Sequence, residues 1–206
     1  MRALTIREKV FGTEHPDVAV SYNNIGSVYS DQGDYTKALE YYKKALNIKR
    51  KVFGTEHPKV ATSYYNIGFV YFNQGDYAKA LEYYAKALTN FEKVFGTEHP
   101  DVVNSYDNIG DVYDYQGDYA KAWEAYTKAL AIKKKVFGAE HPDVAKSYNN
   151  IGCLCCDQGD YAKALEFLTK ALGIYEKVQG IEHPSALSVK KNIDYVKRKL
   201  AESKKD

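Results

Sequence analysis

Residues 15–56 read HPDVAVSYNNIGSVYSDQGDYTKALEYYKKALNIKRKVFGTE, and the same 42-residue pattern returns from His57, His99 and His141. Every histidine and every proline of the chain lies on this lattice, as His15-Pro16, His57-Pro58, His99-Pro100, His141-Pro142 and His183-Pro184. The glycines follow it in three series, beginning at Gly12, Gly26 and Gly33, and only Gly173 falls outside. A period of this length marks a repeat architecture, in which each unit is one supersecondary element stacked on its neighbours.

Within the first unit, Pro16 suits a first helical turn, where the missing N–H is an orphan anyway, and Asp17 complements the positive end of the helix dipole. Val18, Tyr22, Ile25 and Tyr29 recur at spacings of three and four, which defines one face of a helix A. Gln32-Gly33-Asp34 interrupts it: glycine can adopt the left-handed conformation that ends a helix, and aspartate can cap the next. Helix B is expected from about Tyr35 to Val52, with Ala38, Leu39, Tyr42, Ala45, Leu46 and Ile48 inward and Lys49, Arg50 and Lys51 at its negative end. Phe53-Gly54-Thr55-Glu56 turns the chain back. A lone hairpin leaves one apolar face uncovered, so stability requires stacking into a solenoid with a continuous core.

Tyr22, Ile25, Gly26, Tyr29, Gly33, Tyr35, Ala38, Tyr42 and Ala45 fall at the signature spacings of the tetratricopeptide repeat (TPR), which the chain resembles over nearly its whole length. Physically, Gly26 and Ala38 let two helices approach while the aromatic rings fill the space around them, so in the second unit Tyr64, Gly68 and Ala80 are expected to be buried where helices A and B cross. The unit exceeds the usual repeat of about 34 residues, because Lys49 to Val52 continue helix B where the family places a proline. This longer form, with Gly-x-Glu-His-Pro between units and Asn-Asn-Ile-Gly in helix A, is similar to the repeats of kinesin light chains. The resemblance implies an all-α, right-handed α-solenoid of antiparallel helix-turn-helix hairpins, and recognition of a cargo peptide. No heptad-bearing coiled coil is present, which argues against a motor-bound light chain.

The expected organisation is a single TPR array: a partial helix B over 1–14, four repeats over 15–56, 57–98, 99–140 and 141–182, and a capping helix over 183–206. At the start, Ala3, Leu4, Ile6, Val10 and Phe11 align with Ala45, Leu46, Ile48, Val52 and Phe53, so a helix A is missing there. Apolar Leu4 and Ile6 are thereby short of cover, and a homodimer through this end is expected. In the last helix the core tyrosines become Lys190 and Lys197 and the close-packing glycine becomes Asp194, as a solvated cap requires.

Lys plus Arg number 29 against 27 for Asp plus Glu, so the formal charge of +2 supplies no field to attract nucleic acid or a membrane surface. A basic tail of Lys197, Arg198, Lys199, Lys204 and Lys205 is explained more simply by a solvent-facing cap. No run approaches the roughly 18 apolar residues of a membrane span, and neither a signal peptide nor an anchor is recognised. Three crowded cysteines, Cys153, Cys155 and Cys156, point to a reducing, cytoplasmic setting. Cys153 and Cys156 share a helical face, but no fourth ligand lies nearby, and the histidines sit one per interrepeat loop, so no metal and no cofactor is expected. Their role is to start helices. Neither a Ser-His-Asp arrangement nor a phosphate-cradling loop is found, and the chain is not expected to be an enzyme.

The expected partner is a protein or peptide. Asn24, Asn66, Asn108, Asn150 and Asn192 form a ladder, one per unit, and asparagine inside a helix implies that its amide is used. In peptide-binding TPR proteins the equivalent side chain often grips a ligand backbone; bracing between adjacent helices is the equally weighted alternative. The basic clamp by which some relatives hold a C-terminal carboxylate is absent. By the same resemblance, the positions of Val20, Asn23, Ser27, Ser30 and Asp31 line the groove, and these vary between units. In the second they include Tyr65, Phe69 and Phe72, an aromatic stripe; in the third Asp107, Asp111 and Asp114, an acidic one. The expectation is an extended peptide with a bulky apolar anchor and Lys or Arg nearby. The competing function is a spacer or self-assembly array without a dedicated ligand.

Overall fold

The computed structural model describes residues 2–203, which form ten helices and no strand. Lys204 and Lys205, assigned above to the basic tail, and Met1 and Asp206 lie outside the described residues. The chain divides into two compact units, residues 1–105 and 106–206. The first holds α1 (Arg2–Phe11), α2 (Pro16–Asp31), α3 (Tyr35–Phe53), α4 (Pro58–Asn73), α5 (Tyr77–Phe95) and the opening of α6 (Pro100–Tyr115). The second holds the rest of α6, then α7 (Tyr119–Phe137), α8 (Pro142–Asp157), α9 (Tyr161–Gln179) and α10 (Pro184–Glu202).

The helix boundaries are set by local chemistry. Each lattice histidine caps the helix its proline begins: Nδ1 of His15 accepts the backbone N–H of Asp17 at 3.2 Å, and His57, His99, His141 and His183 repeat the bond at 3.1–3.2 Å. The imidazole thus does the work usually given to a Ser or Asp oxygen, satisfying one orphan donor. The rings of His15, His57, His99 and His141 also stack on the phenylalanine that ends the preceding helix, as in Phe53 on His57 with centroids 4.6 Å apart. At the other end of α2, Gly33 has φ +76°, and the N–H groups of Gly33 and Asp34 bond the carbonyls of Ser30 and Tyr29 at 3.0 and 2.9 Å. This is a Schellman closure, and Asp34 at once caps α3 by accepting from Lys37 N at 3.1 Å. One residue ends the closure and begins the next helix, so the two helices must fold back antiparallel.

In the first unit Val18, Ala19, Ala45 and Ile48 make a core against which Leu4 and Tyr22 pack. Gly68 and Ala80 are buried where α4 meets α5, and a Cβ on Gly68 would lie 2.9 Å from the Tyr84 ring. Tyr64, expected in the same crossing, is only half-buried: it lies beside Tyr83 with centroids 6.1 Å apart, and Tyr84 fills the crossing instead. In the second unit Ala122, Tyr126, Ile151, Leu154, Leu168 and Val196 belong to one core. The face of α10 bearing Asp194 and Lys197 is exposed. Leu4, expected to be short of cover, instead packs on the core of the first unit, whereas Ile6, Val10 and Phe11 of α1 are at least half exposed and no residue of α1 is fully buried.

Candidate functional site

On the first unit, the residues singled out on helices A divide into used and open. Asn24 is exposed, whereas Asn66 is half-buried and donates its amide to Asn23 Oδ1 at 3.2 Å, from α4 to α2. Tyr65 lies against Tyr84 with centroids 5.6 Å apart, and Phe72 against Tyr77 at 5.9 Å, so both rings rest on helix B. Phe69 is the ring left open, 46% exposed.

On the second unit the aspartates of α6 meet three different environments. Asp107 faces inward at 6% exposure and pairs with Lys133, Nζ to Oδ2 at 2.7 Å; Lys133 also donates to Ser147 Oγ at 2.8 Å. Its Oδ1 is buried without a hydrogen-bond partner. Asp111, one turn on, accepts the Tyr126 hydroxyl at 2.6 Å; burial raises its pKa, and that hydrogen bond partly offsets the rise. Asp114 is half-buried, and its carboxyl is pushed up to about 6 by burial, with the neighbouring Asp157 and Asp111 adding to the rise. Burial raises Asp157 as well. Asp114, Tyr115, Tyr119 and Asp157 line an open cleft of about 400 Å3. Asn108 and Asn150 are half-buried, and Asn192 repeats the bracing bond to Asn149 Oδ1 at 3.0 Å, from α10 to α8.

Two lysines are buried: Lys133, and Lys49, which was expected to complement the negative end of helix B but lies before its last turn and points inward. Lys49 and Lys133 occupy one helix B position, held by Phe91 and Tyr175 in the intervening and following repeats, and a charge in that apolar register is the signal that marks them. Lys49 is buried beside Ser63, to whose Oγ it donates at 2.8 Å; burial, with Lys59 adding to it, lowers its pKa to about 8. No group of three or more His, Cys, Asp or Glu side chains is gathered as a metal ion would need, among the described residues. No helix among them is long and apolar enough to cross a membrane.

The capped hairpins and the glycine crossings are those of tetratricopeptide repeats, set here on a longer 42-residue period, and the family model for the tetratricopeptide repeat matches residues 1–51, 21–88, 59–135 and 115–177. The chain belongs to this family. Among solved structures it is similar to BtubC (BKLC) from P. vanneervenii, with 28% identity over 89% of this chain and 72% of that one, at a TM-score of 0.77. A putative kinesin light chain with nearly identical TPR-like repeats from Podosopora anserina shares 23% identity over 93% of this chain and 90% of that one, at a TM-score of 0.78. The apo form of RapI, 22% identical, is matched over 88% of this chain and 48% of its own, at a TM-score of 0.73. The last two likenesses are of fold. No curated protein matches by sequence.

Proposed function

We propose that this chain is a protein-binding scaffold whose helix A faces hold an extended segment of a partner. Tetratricopeptide repeats in general serve as protein-interaction scaffolds, and the finer reading rests on one observation: the carboxyl of Asp114, beside an open cleft, is held at about 6 by its burial and by Asp157 and Asp111. Like charges crowded in a half-desolvated place repel, and a Lys or Arg side chain laid in the cleft relieves that repulsion. On the first unit, exposed Phe69 offers a contact for an apolar side chain, in keeping with the role of aromatic residues at interfaces. A peptide array probed with the protein tests the preference. Enrichment of Lys and Arg in the bound sequences, lost with Asp111→Asn/Asp114→Asn, is expected; an array without basic preference overturns the reading.

The spacer reading has its own support, in the amides of Asn66 and Asn192 and the carboxylate of Asp107, all engaged within the protein. Self-association is a companion proposal, a second copy covering Ile6, Val10 and Phe11 of α1. Light scattering at high concentration should then show a dimer, and a strict monomer or an open-ended polymer rules it out.

A further inference from the structure

Two of the three cysteines open into one cavity. Cys153 and Cys156 on α8, with Asp157, Leu168 of α9, and Asn192, Tyr195 and Val196 of α10, line a space of about 190 Å3 within the second unit. They stand three residues apart and so lie on one helical face. Both are free thiols, and Asn192 Nδ2 approaches the Cys153 Sγ at 3.7 Å. Cys155 is fully buried in the core and does not line the cavity. The two cavity cysteines stand where the other repeats carry Ser27 and Ser30, Phe69 and Phe72, and Asp111 and Asp114, so the thiols are a local feature of the fourth repeat.

From this arrangement we infer that Cys153 and Cys156 form a dithiol site for a soft, thiophilic centre that is bridged by both sulfurs in a neutral adduct, a monosubstituted trivalent arsenical being the chemical class. Geometry argues for a bridge and against a direct disulfide. Side chains three apart on a helix have Cβ atoms about 5–6 Å from one another, whereas a disulfide wants them near about 3.8 Å. One interposed atom spans the wider gap without distorting α8. Charge argues for a neutral product. Leu168 and Val196 wall the cavity, Asp157 lies at its side, and burial pushes the Cys153 thiol up to about 11, so an anionic bis-thiolate complex of a monovalent metal is disfavoured. The arsenical instead condenses as R–As=O with two S–H groups, forming two As–S bonds and releasing one water. Arsenic remains trivalent and no electrons are transferred. The organic substituent then occupies the apolar side of the cavity.

The probe is phenylarsine oxide, added in equimolar amount to the full reduced chain and followed by thiol counting and intact-protein mass spectrometry. Wild type should lose two thiols, gain one phenylarsenic, keep it against excess glutathione and release it to a small dithiol. Cys155→Ser should behave as wild type. Cys153→Ser and Cys156→Ser should each hold the probe through one sulfur and lose it to glutathione at least roughly tenfold faster, because the second bond is intramolecular. Fragmentation of the wild-type adduct, which needs no variant to fold, should place arsenic across Cys153 and Cys156. Placement on Cys155, or a glutathione-resistant adduct in Cys153→Ser, overturns the assignment.

Discussion

Lys133 and Asp107 close an ion pair, Nζ to Oδ2 at 2.7 Å, with their side chains 4% and 8% exposed. A charge in that position is tolerable only with its partner, since removing one member of a buried pair leaves the other uncompensated. Asp107→Ala should therefore cost the second unit about 3–5 kcal/mol, while Asp107→Leu/Lys133→Met, which removes both charges, should cost far less. Trp123, the chain's one tryptophan, belongs to that unit and reports its urea unfolding by fluorescence. Equal losses in the two variants would show that the pair is not what holds this place together.

Lys49 stands at the same helix position two repeats earlier, where Asn23 takes the place of Asp107 and provides no counter-charge. Its folded pKa of about 8 lies below the ordinary 10.5. The folded state therefore disfavours the ammonium: the penalty is full below about pH 8, and stability rises as pH climbs from there toward the ordinary lysine value, because the unfolded chain binds more protons in that window. Lys49→Met should abolish that part of the rise, and Asn23→Asp should stabilise the first unit at neutral pH. Denaturant midpoints measured across that window, wild type against Lys49→Met, decide it; parallel pH profiles contradict the assignment.

Gly68 touches the Tyr84 ring closely enough that any side chain must displace it, with a Cβ only 2.9 Å from the nearest ring atom. Gly68→Leu should destabilise by about 1–3 kcal/mol or more through overpacking. Gly173, inside α9 with nothing within 4 Å of a Cβ, is the control, and Gly173→Ala should gain about 0.5–1 kcal/mol from helix propensity. Thermal midpoints that fail to separate the two would remove the close-packed crossing.

The hairpins were legible because their determinants are local: Pro16 fixes the first turn, Gly33 the left-handed turn and Asp34 the next cap, all within a few residues of the backbone groups they serve. The site was less so. Whether Asp107 lies outward or pairs with Lys133 depends on a residue 26 positions away in another helix, and spacing along α6 alone does not carry that. The expectation for Tyr64 missed for a related reason: two adjacent tyrosines, Tyr83 and Tyr84, competed for the crossing, and the register of α5 turns Tyr84 into it. The asparagine ladder left two roles open, and the bracing bonds of Asn66 and Asn192 could be read only once neighbouring helices A were in place.

Whether the acidic face of the second unit receives a basic segment is decided by calorimetric titration of an extended peptide carrying Lys or Arg. Affinity for wild type should fall with added salt, fall again as the pH drops through about 6 where Asp114 takes up its proton, and be weaker by about tenfold, or 1.4 kcal/mol, in Asp111→Asn/Asp114→Asn. The same affinity in both proteins, unmoved by salt, would contradict the basic-segment reading and leave the spacer.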